Sequence, residues 1–376
     1  MWNKIFFSCL FIGFSMALFA QRQTFTVWYP GQETVKEVYD GYLAGQDTIK
    51  DGPYEYYRPN GTLRQKGQFA SNRPHGHWEV FYPNGSLHQK IEFESGVRHG
   101  AYKSFYPSGR LMQEGSYHNG QLHNSFVTYY EDGITESKLN YHSGIQQGMQ
   151  KIYYPDGLIY QEYELKAGVE NGTWKQYWEK GGLNYQGMKK DGAFHDTLKV
   201  YYRNGQLQRV GFYVDGELHG HYRAFHENGE TMMVARYENG ALHGSYREFH
   251  PNGVMRAEGE YRDNTKTGEW RSWYQNGMPY TQGTFLNDRF HGEWQVFYPD
   301  GMLKQRGKYL NGKPASRWDF FYEHGGLKNT GVFFNGFRFG PWLYFDEEKV
   351  NEQQKKVFYL PGEKPGPIRH SAERTP

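Results

Sequence analysis

Two columns of side chains in this 376-residue chain have types and spacings that could do chemistry. The first is cationic. Lys151, Lys175, Lys199, Arg223, Arg247 and Arg271 follow one another every 24 residues, and two residues beyond them stand Tyr153, Tyr177, Tyr201, Phe225, Phe249 and Trp273. On a β-strand a spacing of two puts both members on one face. A row of cations beside a row of rings suits an acidic glycan, a lipid headgroup or an acidic protein surface. The competing reading is cross-strand pairing with nearby acids, among them Glu162, Glu164, Glu258 and Glu260.

The second column is histidine: His75, His99, His123, His195, His219, His243 and His291, again in steps of 24 or its multiples. If each repeat is two strands, equivalent histidines stand about 9–10 Å apart, which stretches shared metal coordination. No cysteine or regular carboxylate column completes a shell. The favoured role is therefore a histidine beside a turn, donating a local hydrogen bond, although His75/His77 and His219/His221 also form His-x-His pairs. The chain has no Gly-x-Ser-x-Gly elbow, no phosphate-binding P-loop and no His-Glu-x-x-His. The expectation is a protein that is not an enzyme and carries no cofactor and no metal.

Both columns ride on a strict repeat. An anchor glycine, often preceded by histidine, recurs every 24 residues from Gly52 to Gly340, with Asn124, Asp196 and Ser316 filling three of the thirteen slots. Nine residues after the anchor a second glycine stands in all twelve repeats from Gly61 to Gly325, as in Pro83-Asn84-Gly85 and Pro299-Asp300-Gly301. Proline presets φ, Asn or Asp suits a turn, and glycine takes the left-handed conformation, so this is a hairpin turn. Two after the anchor, eleven of thirteen residues are aromatic, including Trp78, Trp174, Trp270, Trp294, Trp318 and Trp342. Five after it, all thirteen are aromatic, from Tyr57 to Phe345. Past the turn runs Leu-x-x-x-Gly-x-aromatic, as in Leu303, Gly307 and Tyr309, and then a second turn, typically Asn-Gly or Asp-Gly.

Each repeat thus has room for two strands of roughly six residues and two turns, and none for a helix. A lone hairpin is marginal in water, so the repeats must stack. The predicted fold is all-β, an elongated antiparallel β-meander of about 13 hairpin repeats. The favoured register has a four-residue first turn, sets Trp78 beside Ile91 and Trp270 beside Gly283, and leaves the glycine making room for the indole. A three-residue turn with a bulge would instead set the invariant aromatic opposite the leucine. In the favoured register the invariant aromatics face the other side of the sheet.

Composition fits. Hydrophobic residues are only 37%, yet aromatics reach 18% and there are 47 glycines, so the core must be built from rings rather than aliphatics. The segment MWNKIFFSCLFIGFSMALFAQ reads as a signal peptide over 1–20, cleaved near Ala20, which sends the chain to the periplasm, the outer surface or the medium. Cys9, the single cysteine, lies inside it, and the mature chain is left with 42 basic and 41 acidic side chains. That balance gives no expectation of nucleic acid, and no transmembrane span is expected in the mature chain. Residues 21–51 read as an atypical N-terminal β cap, 52–345 as the repeats, and 346–376 as a terminal cap and mobile tail.

From about residue 38 to 345 the pattern resembles the MORN-repeat variant family, with units of the form G-x-W-x-x-Y-x-x-N-G-x-L-x-x-x-G-x-Y-x-x-G-x-x-H-G. Bacterial members are often labelled YwqK-like antitoxins. The resemblance implies an extended sheet of successive hairpins that acts as a scaffold or protein-binding rod, in some relatives as a homodimer or a lipid binder. The expected partner is a protein or a cell-surface component. An antitoxin role would require a cytoplasmic toxin, whereas the leader points outward.

Overall fold

A computed structural model describes residues 21–31, 33–348 and 353–360; the expected signal peptide and the tail beyond residue 360 lie outside them. Contacts divide the chain into two compact units, the first ending at Gly157 and the second starting at Leu158. Both are all-β, with no helix among the described residues. The first unit runs from strand Gln23–Trp28 to strand Gly148–Tyr153, and the second from Ile159–Lys166 to Gln353–Tyr359. Within each unit consecutive strands pair antiparallel, giving a plain meander. One irregularity marks the end of the first unit, where Ile145–Gln146 and Gly148–Tyr153 both pair with Thr135–His142.

The repeat strands are longer than the six residues expected, as in Arg289–Phe297 with nine and Leu303–Leu310 with eight. The first turn is shorter. The Tyr298 N–H donates to Met302 O (2.8 Å) and the Gly301 N–H to Tyr298 O (2.9 Å), with Gly301 at φ 91°. That is a three-residue loop ending in a left-handed glycine, not the four-residue turn expected. The Trp–Gly register nevertheless stands: Trp78 pairs with Ile91, Trp270 with Gly283 and Trp294 with Gly307. A bulge reconciles the two. Val296 pairs with Gln305 and Phe297 with Leu303, so Lys304 is the inserted residue and the invariant aromatic does lie opposite the leucine.

The second turn has two residues, such as Asn311-Gly312 at φ 51° and 80°, the mirror-image type that matches strand twist. Its Gly312 N–H donates to Phe290 O in the preceding hairpin (2.9 Å), and the same bond recurs from Gly96 to Pro74 and from Gly216 to Phe194. The anchor is a third left-handed site. Gly283 pairs with Trp294 and Thr284 with His291, so Gly292 and Glu293 are extra on their strand, with Gly292 at φ 68°. Asn124, Asp196 and Ser316 take the same conformation at φ 65°, 67° and 61°. The anchor column is therefore conserved in shape along the chain, not in residue type.

One sheet face holds the indoles. Trp318 and Trp342 are fully buried, with Phe333 beside them. The rings meet edge to face: Tyr309 and Trp318 at 4.9 Å, Phe333 and Trp342 at 5.0 Å. The expected slot for each indole was the glycine of its own repeat. The ring covers the glycine of the preceding repeat instead, Trp318 over Gly307 and Trp294 over Gly283. The cause is the indole N–H, which donates backward, from Trp318 to Lys308 O (3.2 Å) and from Trp294 to Thr284 O (3.0 Å).

A further row ties the repeats at the other edge. Six after the anchor, Tyr274, Tyr298 and Tyr322 donate their hydroxyls to Phe297 O, Phe321 O and Phe345 O at 2.9–3.1 Å. Each bond reaches the next repeat, and His226 and His250 make the same contact at 3.1 Å.

Candidate functional site

The face opposite the indoles carries the invariant aromatics and, beside them, a charge ladder. Each residue three after an anchor has a residue of the neighbouring strand on either side. Glu79 pairs across with Lys66 and with Lys90, and its carboxylate lies 3.2 Å from both ammonium groups. Burial raises the Glu79 carboxyl, but the hydrogen bonds from both lysines outweigh it and hold the group below its ordinary range. Lys103, set opposite Lys90 on one side, is held by Glu114 on the other at 3.3 Å. Beyond Glu114 the ladder of the first unit runs through Val127, Lys138 and Lys151.

The second unit begins and ends with cations held by acids. Lys175 Nζ meets Glu162 Oε1 at 2.9 Å, and Tyr177 donates to the same oxygen at 2.9 Å. Burial, and then that carboxylate, push the Tyr177 phenol up to about 12. Arg271 is held by Glu269 (3.3 Å) and Glu258 (3.9 Å), and Arg247 only grazes Glu258 at 4.0 Å. Further on, Arg306 and Arg317 converge on Asp319 at 3.0 Å, and the Thr330 hydroxyl donates to it at 2.7 Å.

Between these ends the ladder loses its acids. Lys199 stands between Gln186 and Val210, Arg223 between Val210 and Val234, and Arg247 between Val234 and Glu258. Lys199 and Arg223 are exposed and make no ion pair among the described residues. Tyr201, Phe225 and Phe249 lie half-buried beside them, and Met188 and Phe212, on the same face by their spacing of two, are 49% and 40% exposed. His221 and Arg236 form the adjacent cross-strand pair. The result is a cationic, ring-lined surface with apolar side chains between the charges.

The twelve stripe residues read from the sequence therefore separate. Lys151 and Tyr153 belong to the first unit, on strand Gly148–Tyr153, where Lys151 pairs with Lys138. The other ten lie in the second unit. Lys175 and Arg271 are engaged by acids, whereas Lys199, Arg223 and Arg247 with Tyr201, Phe225 and Phe249 form the open patch. Of the four competing acids, Glu162 and Glu258 meet the stripe, while Glu164 and Glu260 turn toward Gly172 and Gly268. The valines went unread in the sequence. Their signal was the substitution of Val210 and Val234 into a column that elsewhere holds Lys66, Glu114 and Glu258.

The histidine column lies beside the two-residue turns but does not behave as one class. His243 Nδ1 stands 3.2 Å from Asp263, and His195 Nδ1 3.7 Å from Asp215. His123 Nδ1 accepts the Ser143 N–H at 3.4 Å, so the expected donor role fails there. No group of three or more metal-ligating side chains occurs among the described residues, and no described helix is long and apolar enough to cross a membrane.

Asp319 gives this face a pH dependence. Burial raises its carboxyl, but the Thr330, Arg306 and Arg317 hydrogen bonds outweigh that and hold it below the ordinary carboxylate range. A depressed folded-state value contributes stability at neutral pH that is lost as pH falls through it. Acidification is expected to lower the urea midpoint of the native chain more than that of Asp319→Asn, the two curves converging at the acid end. A gap that stays constant with pH would reject this.

The family model described as a MORN repeat variant matches residues 50–70, 74–95, 98–119, 197–215, 242–263, 266–287 and 290–314. No curated relative matches. Among solved structures, TcdB2–TccC3 without its hypervariable C-terminal region matches at 7% identity, with a TM-score of 0.17, over 79% of this chain and 20% of that one. The Photorhabdus luminescens Tc holotoxin pore matches at 10% identity and 0.17, over 87% and 22%. This chain spans about a fifth of those chains' length. Likeness at that score carries no argument about fold or function.

Proposed function

The chain belongs to the MORN repeat variant family, and from that premise we propose that it is an exported, non-enzymatic scaffold that meets its partner through the cationic patch of its second unit. The observation that supports this reading is the break in the charge ladder. At both ends of this stretch of the second unit an acid holds the cations, Glu162 at Lys175 and Glu258 at Arg271, yet Val210 and Val234 occupy that column around Arg223. An exposed cation without an acid attracts anionic groups from outside the chain. Arginine, aromatic rings and methionine are enriched at the cores of protein interfaces, and Arg223, Arg247, Phe225, Phe249 and Met188 supply that mixture. The favoured partner is a protein with an acidic surface at the cell envelope.

A second reading, an anionic polysaccharide or lipid, is supported by the row of rings beside the cations, which suits stacking. One experiment separates them. Native chain and the triple variant K199Q/R223Q/R247Q are compared for retention of envelope proteins, of anionic glycans on an array, and of anionic vesicles. Loss of three charge-assisted contacts is expected to weaken protein retention by about tenfold or more, with strong dependence on salt. Retention of glycan or vesicle alone would favour the second reading. Unchanged retention in all three arms would remove the patch from the function. Cell fractionation tests the export: a chain confined to the cytoplasm would overturn it.

A further inference from the structure

The histidines that precede the anchors are two strands apart, which is what argues against metal when that column is taken alone. In the first unit a second column falls between them. His118 and His142, each eighteen residues after an anchor, interleave with His99 and His123 across strands Val97–Phe105, Leu111–His118, Gln121–Tyr129 and Thr135–His142. Because Gly100 pairs with Tyr117 and Asn124 with Tyr141, His99 is set directly opposite His118, and His123 opposite His142. The ring centroids are 4.9 Å and 5.0 Å apart within these pairs and 5.6 Å between them. His118 and His142 are exposed, and His99 and His123 half-buried, so the row is open to solvent along one side.

We propose that this row is a binding site for a divalent first-row transition cation, built as two cross-strand clamps, His99 with His118 and His123 with His142. A ring nitrogen about 2.1 Å from a metal puts its ring centroid about 3.2 Å away, so two imidazoles at square-planar to tetrahedral angles stand about 4.5–5.2 Å apart. Both clamps fall in that window and the link between them does not, so two ions are expected per chain. Neutral imidazoles without thiolate select the late members of the series. The Glu94 carboxylate lies 3.5 Å from His99 Nδ1, but no group of three or more ligating side chains forms among the described residues, so water completes the coordination and the ions exchange readily. No other repeat sets a histidine in both columns; the slot holds Glu94, Lys166 or Glu238, for example, in neighbouring and distant repeats. The site is independent of the cationic patch, which lies in the second unit.

The test is calorimetric titration of the untagged full chain with Zn2+. Two equivalents are expected. H118Q/H142Q removes one half of each clamp and H99Q/H123Q the other half. Each is expected to weaken binding by roughly a hundredfold, the gain a second tethered ligand supplies. H195Q/H219Q, which removes two histidines of the same column outside the row, is expected to bind as the native chain does. The proposal is overturned if the native chain takes up no Zn2+, if the clamp variants match it, or if H195Q/H219Q loses binding equally.

Discussion

Trp318→Ala is expected to destabilise the second unit by about 3–5 kcal/mol, the range for truncating a buried aromatic. Trp318 is 2% exposed. It meets Tyr309 edge to face at 4.9 Å and Phe333 at 6.0 Å, with Phe320 stacked at 5.9 Å. Its N–H is bonded to Lys308 O, so the truncation removes a hydrogen bond as well as area. The void would open directly above Gly307, which has no side chain to fill it. Neighbouring strands cannot collapse into it, because turn bonds such as Gly312 to Phe290 O and hydroxyl bonds such as Tyr298 to Phe321 O fix them at both edges. Repeat stacks are held mainly by nearest-neighbour interfaces. The loss should therefore appear in urea unfolding, followed by tryptophan fluorescence, as an earlier and broader transition. A change under about 1 kcal/mol would mean the indole ladder is not what couples the hairpins.

The repeat was legible in the sequence because its constraints are local. A left-handed turn residue, an alternating strand and a ring at fixed offset all leave a mark at one position. The register was half legible: Trp270 beside Gly283 follows from the spacing, but the bulge at Lys304 is one residue in a polar stretch and leaves no signature. The direction in which an indole leans was not legible, since Gly307 is flanked by Trp294 on one side and Trp318 on the other. Only the backward bond to Lys308 O decides between them. The hydroxyl row of Tyr274, Tyr298 and Tyr322 was visible as a second aromatic after the invariant one, yet its acceptor lies 23 residues away.

The candidate site shows the same limit. A column read alone gave Lys151 through Arg271 as one stripe of six cations. Which of them are engaged depends on a second column, the residues fourteen after each anchor, and on its strand pairing. Val210 and Val234 open the patch, and Glu162 and Glu258 close its ends. His118 and His142 are likewise invisible to any reading that follows the histidines next to the anchors. Functional contrast in a repeat protein lies where two columns depart together, and pairing has to be known before that coincidence can be seen.

Gly307→Ala tests the backward lean of the indole and is expected to destabilise by about 1–3 kcal/mol or more, as overpacking does. A Cβ at Gly307 would lie 2.1 Å from the Trp318 ring, and Trp318 has no empty rotamer space to enter while its N–H is held by Lys308 O. Backbone conformation is not the cause, because Gly307 does not take a positive φ. The penalty should therefore belong to the pair rather than to the glycine. Combined with Trp318→Ala, the alanine at position 307 is expected to cost little, or even to recover some stability by partly filling the void, so the double variant should be clearly less destabilised than the sum of the singles. Gly301→Ala is the contrasting case. A Cβ there would meet only the flexible Met278 Sδ, at 3.4 Å, but φ is 91°, so its cost is strain in the turn, and it should add to Trp318→Ala without coupling. Additive energies for Gly307 and Trp318 in that cycle would show that the glycine column does not exist to seat the indole of the following repeat.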